Sequence, residues 1–227
     1  DVEDLCRTLL NGYDFLILCN PNNPTSSAIL KDEIRALLSF CANRDIFVMI
    51  DETYVEFAPS VQEVTAVPYT KEFSNLMVLR GVSKFYAAPG MRFGYGITGN
   101  KEFLSQMKEK QIPWSLNSLG AYAGEQMFKD TSYIRQTRAL ILTERDRMFL
   151  ELKKISSFKV YFPYGNFILV KILKPEVTSF DVFEACIKEG LMIRDCSSFQ
   201  CLDGEFIRFC IMKPEDNNRL LKVLKTI

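Results

Sequence analysis

Three short apolar runs constrain the fold of this chain more than any other feature: Phe15-Leu16-Ile17-Leu18-Cys19, Phe47-Val48-Met49-Ile50 and Leu76-Met77-Val78-Leu79. Each has the length of a buried strand and ends at a polar or turn-forming stretch. Between the first two, Asp32–Cys41 carries apolar residues at helical spacing, with acids in the first turn where the helix dipole favours them. Strand, helix, strand repeated in this way predicts α/β architecture, a parallel sheet with helices on its faces. A short helix is expected at Val2–Leu10, a loop from Ala58 to Thr70 around Pro59 and Pro68, and a fourth strand at Phe93–Thr98. In open sheets of this kind ligands bind beyond the carboxyl ends of the strands. Asp51 and the pair Ser83-Lys84 follow such ends.

The rest of the chain changes character. Helices are predicted at Lys101–Gln111, stopped by Pro113, and at Leu119–Lys129. A long helical pattern over Ser132–Ile155 reads as a link between two domains. Strands follow at Val160–Phe162, Phe167–Ile172, near Leu191–Arg194 and at Phe206–Met212, with helices at Phe180–Lys188 and Glu215–Thr226. The expected division is a large domain over 1–130, a linking helix over 131–155 and a smaller α+β domain over 156–227.

Composition removes several classes of function. A formal net charge of zero gives no reason to expect a nucleic-acid or anionic-membrane partner. There is no histidine, so a histidine-ligated metal and a histidine base are excluded, and no metal is expected. The seven cysteines form no CxxC pair, and Cys19, Cys41, Cys186 and Cys210 lie in apolar runs. They read as free core thiols of a cytoplasmic protein. No apolar run is long enough to span a bilayer.

Three motifs occur in order: Asn20-Pro21-Asn22-Asn23-Pro24-Thr25, Asp51-Glu52-Thr53-Tyr54, and Ser83-Lys84 followed by Pro89-Gly90-Met91-Arg92. Read alone, Lys84 is a surface lysine at a turn and Asp51 a cap or turn acid. Tyr54 is a half-buried tyrosine and Asn23 an Asx-turn residue. Together, in this order and spacing, they resemble the class I/II aminotransferase family, whose enzymes use pyridoxal phosphate. The likeness is to the branch holding histidinol-phosphate aminotransferase and threonine-phosphate decarboxylase. It implies a fold type I protein whose mixed, mostly parallel sheet binds the cofactor, with a small α+β domain after it.

The resemblance also implies roles. Lys84 would bond to the cofactor aldehyde and later move the proton, and Asp51 would pair with the pyridine nitrogen. Tyr54 and Asn23 would donate to the ring oxygen. Arg92 would hold the phosphate through its planar fork, with Ser83 adding a hydroxyl. Two positions depart from the family. Gly81 stands where serine or threonine is usual, so one phosphate hydrogen bond is expected to be missing, and Ser26 stands where glycine is usual. Arg194 and Arg208, placed on apolar strands, are candidates for the substrate's anionic groups, against the plainer reading of ion pairs to Asp195 or Asp203. Asn166 is a further pocket candidate or a loop-turn asparagine.

The expected substrate is a phosphorylated amino acid or amine. Two reactions stand level: transamination, as in histidinol-phosphate aminotransferase of amino-acid biosynthesis, and decarboxylation, as in threonine-phosphate decarboxylase of cobalamin side-chain synthesis. Lys84–Arg92, Pro113–Ser118 and Arg194–Arg208 look more like the decarboxylases. Family members are homodimers and carry, ahead of the position of Asp1, a portion with a phosphate-holding loop. The chain therefore reads as a fragment, and an inactive remnant that keeps the fold is the third reading.

Overall fold

The computed structural model describes residues 1–200 and 202–227. These divide into two compact units, Asp1–Pro21 with Ala28–Ile134, and Asn22–Ser27 with Arg135–Ile227.

The first unit is built on a sheet in the order β1 (Phe15–Cys19), β2 (Phe47–Asp51), β3 (Leu76–Gly81), β4 (Gly94–Thr98). The first three strands are parallel and β4 is antiparallel to β3. Alternation decides what each strand buries. Leu16, Val48, Ile50, Leu76 and Val78 turn to one face. There they pack with Leu9 of helix α1 (Val2–Leu9) and with Ile34, Leu37, Leu38 and Cys41 of α2 (Lys31–Ala42). Burying each leucine or isoleucine contributes roughly 1.5–3 kcal/mol relative to leaving it in water. On the other face Phe103 packs against Phe47, while Phe15 and Ile17 stay 44% and 63% exposed. The first apolar run is therefore a strand buried on one side, not a wholly buried one.

The stretch expected as loop is more ordered than its prolines suggest. It holds a one-turn helix α3 (Val61–Val64) and a 3-10 turn over Val67–Lys71, in which Pro68 fits the first turn. Asn20 anchors it, donating from Nδ2 to the carbonyls of Ile29 and Val64 at 3.0 Å each. Helices α4 (Lys101–Lys110) and α5 (Ser118–Lys129) follow, capped by Asn100 and Asn117.

The second unit takes most of α6 (Thr131–Leu152) and an antiparallel sheet in the order β5-β6-β8-β7, with β5 Phe158–Val160, β6 Phe167–Ile172, β7 Arg194–Asp195 and β8 Phe206–Cys210. Helices α7 (Ser179–Lys188) and α8 (Pro214–Leu224) complete it. Strand β5 lies two residues earlier than the sequence pattern suggested, because Phe158 rather than Phe162 turns inward. Strand β6 is buried at Phe167, Ile168, Leu169, Val170 and Ile172, and buried residues of α6, α7 and α8 (Met148, Leu152, Val182, Leu220, Leu224) add to the unit's core. Asn217 fixes the exit of β8: its Nδ2 donates to Glu144 at 2.7 Å, and its Oδ1 accepts from the Met212 amide at 3.0 Å.

Cys41 and Cys186 are buried free thiols, but Cys19 and Cys210 are exposed. Both are the last residue of their strand and fall on its outward side. Among the described residues no helix is long and apolar enough to cross a membrane.

Candidate active site

In the first unit the parallel strands β2 and β3 deliver their carboxyl ends side by side, with Asp51 in register with Leu79. Asp51, Thr53, Gly81, Ser83 and Arg92 line one cavity of about 270 Å3 there. The Asp51 carboxylate is held through Oδ1, which accepts from the Thr53 amide at 2.8 Å and from the Thr53 hydroxyl. Lys84 lies beyond the end of β3, with Nζ 5.9 Å from the centre of the Tyr54 ring. Its side chain is exposed in this chain, not desolvated. Arg92 is also exposed and donates from Nη1 to the Pro89 carbonyl at 3.0 Å. Its backbone is left-handed, with φ +51°. A side chain in that region is strained, a feature that clusters at ligand sites.

Gly81 has a local reason. A Cβ there would stand 3.2 Å from the Phe93 carbonyl oxygen, where β4 enters the sheet, and that oxygen already accepts from the Val82 amide at 3.2 Å. The hydroxyl usual at this position would have to push that carbonyl aside.

The donor set fits pyridoxal phosphate by its chemistry. A lysine amine, a carboxylate held at one oxygen, a tyrosine, a serine hydroxyl and a guanidinium are gathered around the ends of neighbouring strands.

The second unit brings together Asn23, Arg194 and Arg208. Arg194 and Arg208 are direct cross-strand partners on β7 and β8. Both lie over the ring of Phe199, at 5.5 and 5.8 Å, and Arg208 is also 5.2 Å from the centre of Phe167. The Arg208 Nη1 donates to Asn23 Oδ1, and the Arg194 Nη2 donates to the Ser198 hydroxyl at 3.1 Å. No carboxylate lies within ion-pair distance of either arginine among the described residues. Asp195 is taken instead by the hydroxyls of Ser179 and Ser197 at 2.8 and 2.9 Å. Burial opposes ionisation of Asp195, yet these bonds and the Ser197 amide hold its carboxyl below the ordinary range. Arg208 is half-buried but Arg194 is exposed, because β7 is a two-residue edge strand. Placement beside apolar strand residues therefore does not take Arg194 out of water. The two arginines line a cavity of about 650 Å3 with Ser197, Ser198, Phe183 and Met192.

Asn23 is not the Asx-turn residue of its loop; Asn22 is, accepting from the Thr25 amide and hydroxyl at 3.3 and 2.8 Å. Asn166 has its side-chain Oδ1 buried and without a partner among the described residues, while its carbonyl accepts from the Ile211 amide.

Two residues at the site, Thr53 and Phe199, escaped the sequence reading, and Ser26 was read only as a departure from glycine. Thr53 sits inside a motif whose flanking acid and tyrosine drew attention away from it. Phe199 follows Ser197-Ser198 and carries both guanidinium groups. Ser26 is fully buried with φ +58°, a conformation that favours glycine. Its backbone thus keeps the shape a glycine would give. Its hydroxyl accepts from the Gly165 amide at 2.9 Å and its carbonyl accepts from the Tyr164 amide at 2.7 Å.

The family model described as aminotransferase class I and II matches residues 1–224. The threonine-phosphate decarboxylase of Salmonella typhimurium is 30% identical over 225 residues, 99% of this chain and 60% of that protein. The chain thus spans little more than half the length of such curated relatives. The crystal structure of histidinol-phosphate aminotransferase from Clostridium acetobutylicum superposes with a TM-score of 0.92 at 35% identity, covering 100% of this chain and 67% of that one. Histidinol-phosphate aminotransferase from Sinorhizobium meliloti, solved in complex with pyridoxal-5'-phosphate, shares the fold at 20% identity with a TM-score of 0.85, covering 100% and 60% of the two chains.

Proposed function

This chain belongs to the aminotransferase class I and II family, and on that premise we propose that the intact protein is a pyridoxal-phosphate enzyme acting on a phosphorylated amino acid or amine. The observation that carries the reading is the cavity shared by Asp51, Thr53, Ser83 and Arg92 at the ends of β2 and β3. The bound cofactor supplies an electron sink for negative charge developing at the substrate Cα. Asp51 holds the proton on the ring nitrogen, and Thr53 fixes the carboxylate for that task. Lys84 anchors the cofactor through Nζ and afterwards takes and returns a substrate proton with the same amine. Tyr54 and Asn23 are the proposed donors to the ring oxygen, Ser83 and Arg92 the phosphate ligands. Arg208 and Arg194 receive the substrate's anionic groups, with Asn166 as a further contact.

Transamination and decarboxylation remain two outcomes of one site, since relatives of both kinds match the whole chain. Placement of the substrate's anionic groups by Arg208 and Arg194 would select between the two outcomes. We also propose a cytoplasmic homodimer. Supporting association, Ile112, Trp114, Leu119 and Tyr122 form an apolar stretch 76%, 96%, 77% and 66% exposed. Sedimentation of the intact protein at twice the chain mass is the expected result.

Borohydride reduction of the intact holoenzyme, followed by peptide mass mapping, is expected to place the pyridoxyl group on Lys84. Label on another lysine, or none, overturns the cofactor reading. Given that label, carbon dioxide released from O-phosphothreonine identifies the decarboxylase. Transfer from histidinol phosphate to 2-oxoglutarate identifies the aminotransferase. Equal turnover of unphosphorylated analogues overturns the substrate class.

A further inference from the structure

Glu52, the residue after Asp51, is wholly buried, and its carboxylate accepts hydrogen bonds from three residues. Its Oε2 accepts from Arg80 Nε at 3.0 Å and Nη2 at 2.7 Å, a two-pronged contact to one oxygen. The Thr65 hydroxyl lies 2.9 and 3.1 Å from the two carboxylate oxygens, and the Ala66 amide donates to Oε1. Arg80 Nη2 also donates to Thr65 Oγ1 at 2.9 Å. Tyr95 is the register partner of Arg80 on β4, and burial pushes its phenol up against the pull of the same guanidinium.

The two charged residues sit where the site leaves the sheet. Glu52 takes up the chain after β2, its amide donating to the Leu79 carbonyl at 2.9 Å. Arg80 precedes Ser83-Lys84 by only Gly81 and Val82. An ion pair here ties the end that carries Asp51 to the end that carries Lys84. Stability alone does not account for it, because a buried ion pair is often no better than well-packed apolar residues of the same volume. Burial pushes the Glu52 carboxyl above the ordinary range even against Arg80, Ala66 and Thr65, which shows the desolvation the pair carries.

We propose that Glu52 and Arg80 are positioning residues: their buried pair, braced by Thr65, sets the spacing between Asp51 and Lys84 and so the fit of the cofactor. Glu52 is wholly buried, while the Arg80 side chain is 18% exposed and reaches the cavity at the strand ends as one of its lining residues. The inference rests on the cofactor reading above, and it assigns to this pair the geometry that reading requires.

The test compares the intact wild-type protein with Glu52→Met, Glu52→Met/Arg80→Met and Arg80→Lys. Three quantities are read: the melting temperature without cofactor, the dissociation constant for pyridoxal phosphate, and the pH midpoint of the bound cofactor's visible absorption. Glu52→Met strands a half-buried guanidinium and is expected to melt below wild type. The double variant removes both charges and is expected to recover most of that loss. It should nonetheless bind the cofactor about 10-fold more weakly or worse, the usual effect of losing an outer partner of a ligand site, with a displaced pH midpoint. A double variant with wild-type affinity and midpoint overturns the proposal. If the double variant does not fold, Arg80→Lys decides: it keeps the charge and loses the fork. A shifted midpoint at near-normal melting temperature supports positioning, and a wild-type midpoint and affinity overturn it. Failure of the wild-type protein to bind the cofactor at all is a different result. It overturns the cofactor reading and this inference together.

Discussion

Arg80 in the first unit meets Glu52 at 2.7 Å, with Thr65 and Ala66 closing the ring of donors around the carboxylate. Arg194 and Arg208 in the second unit face each other across β7 and β8 and are held by aromatic faces, Asn23 and Ser198. Like charges directly opposite on a ladder are destabilising. Cation–π contact returns only about 0.5–2 kcal/mol, less where the site is wet. The first unit has thus neutralised its half-buried guanidinium with a carboxylate, and the second has left two cations without one among the described residues. On the proposed reading, the difference separates a charge that would build a site from charges that would receive a ligand.

The largest effect is expected at Asp51. Asp51→Asn keeps the shape and the Thr53 contacts but cannot hold a ring proton by charge. Removing a comparably placed electrostatic group lowers turnover by about 100-fold or more. Cofactor should still load onto Lys84, as judged by borohydride labelling. Turnover near that of wild type would show that the first unit's carboxylate is not the ring partner.

Next come the two arginines, and here the comparison can break. Truncating a half-buried cation that meets an anionic group costs about 2 kcal/mol or more, which is roughly 30-fold in the Michaelis constant. That is the expectation for Arg208→Ala with a phosphorylated substrate. Arg194 is exposed, so Arg194→Ala should raise the constant less and show the steeper loss with added salt. Equal effects at both positions, independent of salt, would mean that exposure in this structure does not track their role.

A third effect, smaller again, belongs to Thr53. Thr53→Val deletes the hydroxyl that donates to Asp51 Oδ1 and leaves the amide contact at 2.8 Å. A hydrogen bond to a charged group contributes about 1.5 kcal/mol at the low end, so turnover should fall roughly 10-fold. Unchanged turnover, with unchanged cofactor absorption, would show that the amide alone orients the carboxylate.

How much of this was legible depended on what each signal measures. Apolar runs and helical spacing located β2, β3, β6, α2 and α8 within a few residues, because those elements bury a contiguous core. The same signal overstated β1, since an apolar run does not say whether Phe15 and Ile17 have anything packed upon them. Ordered structure between Ala58 and Thr70 was hidden because it is organised by Glu52 and Asn20, distant in sequence. Asp51 and Ser83-Lys84 were legible as residues at strand ends, whereas Arg92 came only with the family resemblance. The pairing of Arg208 with Asn23, 185 residues apart, was not, because no local pattern encodes a contact of that range. Nor was the grouping of residues 22–27 with the second unit.

The smallest expected effect concerns the loop that carries Asn23. Ser26 adopts φ +58°, which an L side chain holds at a penalty of roughly 1–2 kcal/mol. Its hydroxyl and carbonyl bonds to Gly165 and Tyr164 oppose that penalty. Ser26→Ala and Ser26→Gly both remove the hydroxyl and leave the Gly165 amide without it, so that loss cancels between them. What remains is the backbone: alanine keeps the strained conformation and glycine relieves it, less the entropy glycine gains in the unfolded chain. The glycine variant should therefore be the more stable by about 1 kcal/mol in urea denaturation at matched slopes. Both should weaken cofactor and substrate binding together if the loop acts through Asn23, the proposed ring-oxygen donor whose Oδ1 also accepts from Arg208. Equal stabilities would show that the loop relaxes to fit whichever residue it holds. The clasp between Ser26 and Gly165 would then be a consequence of the loop's shape and not its cause.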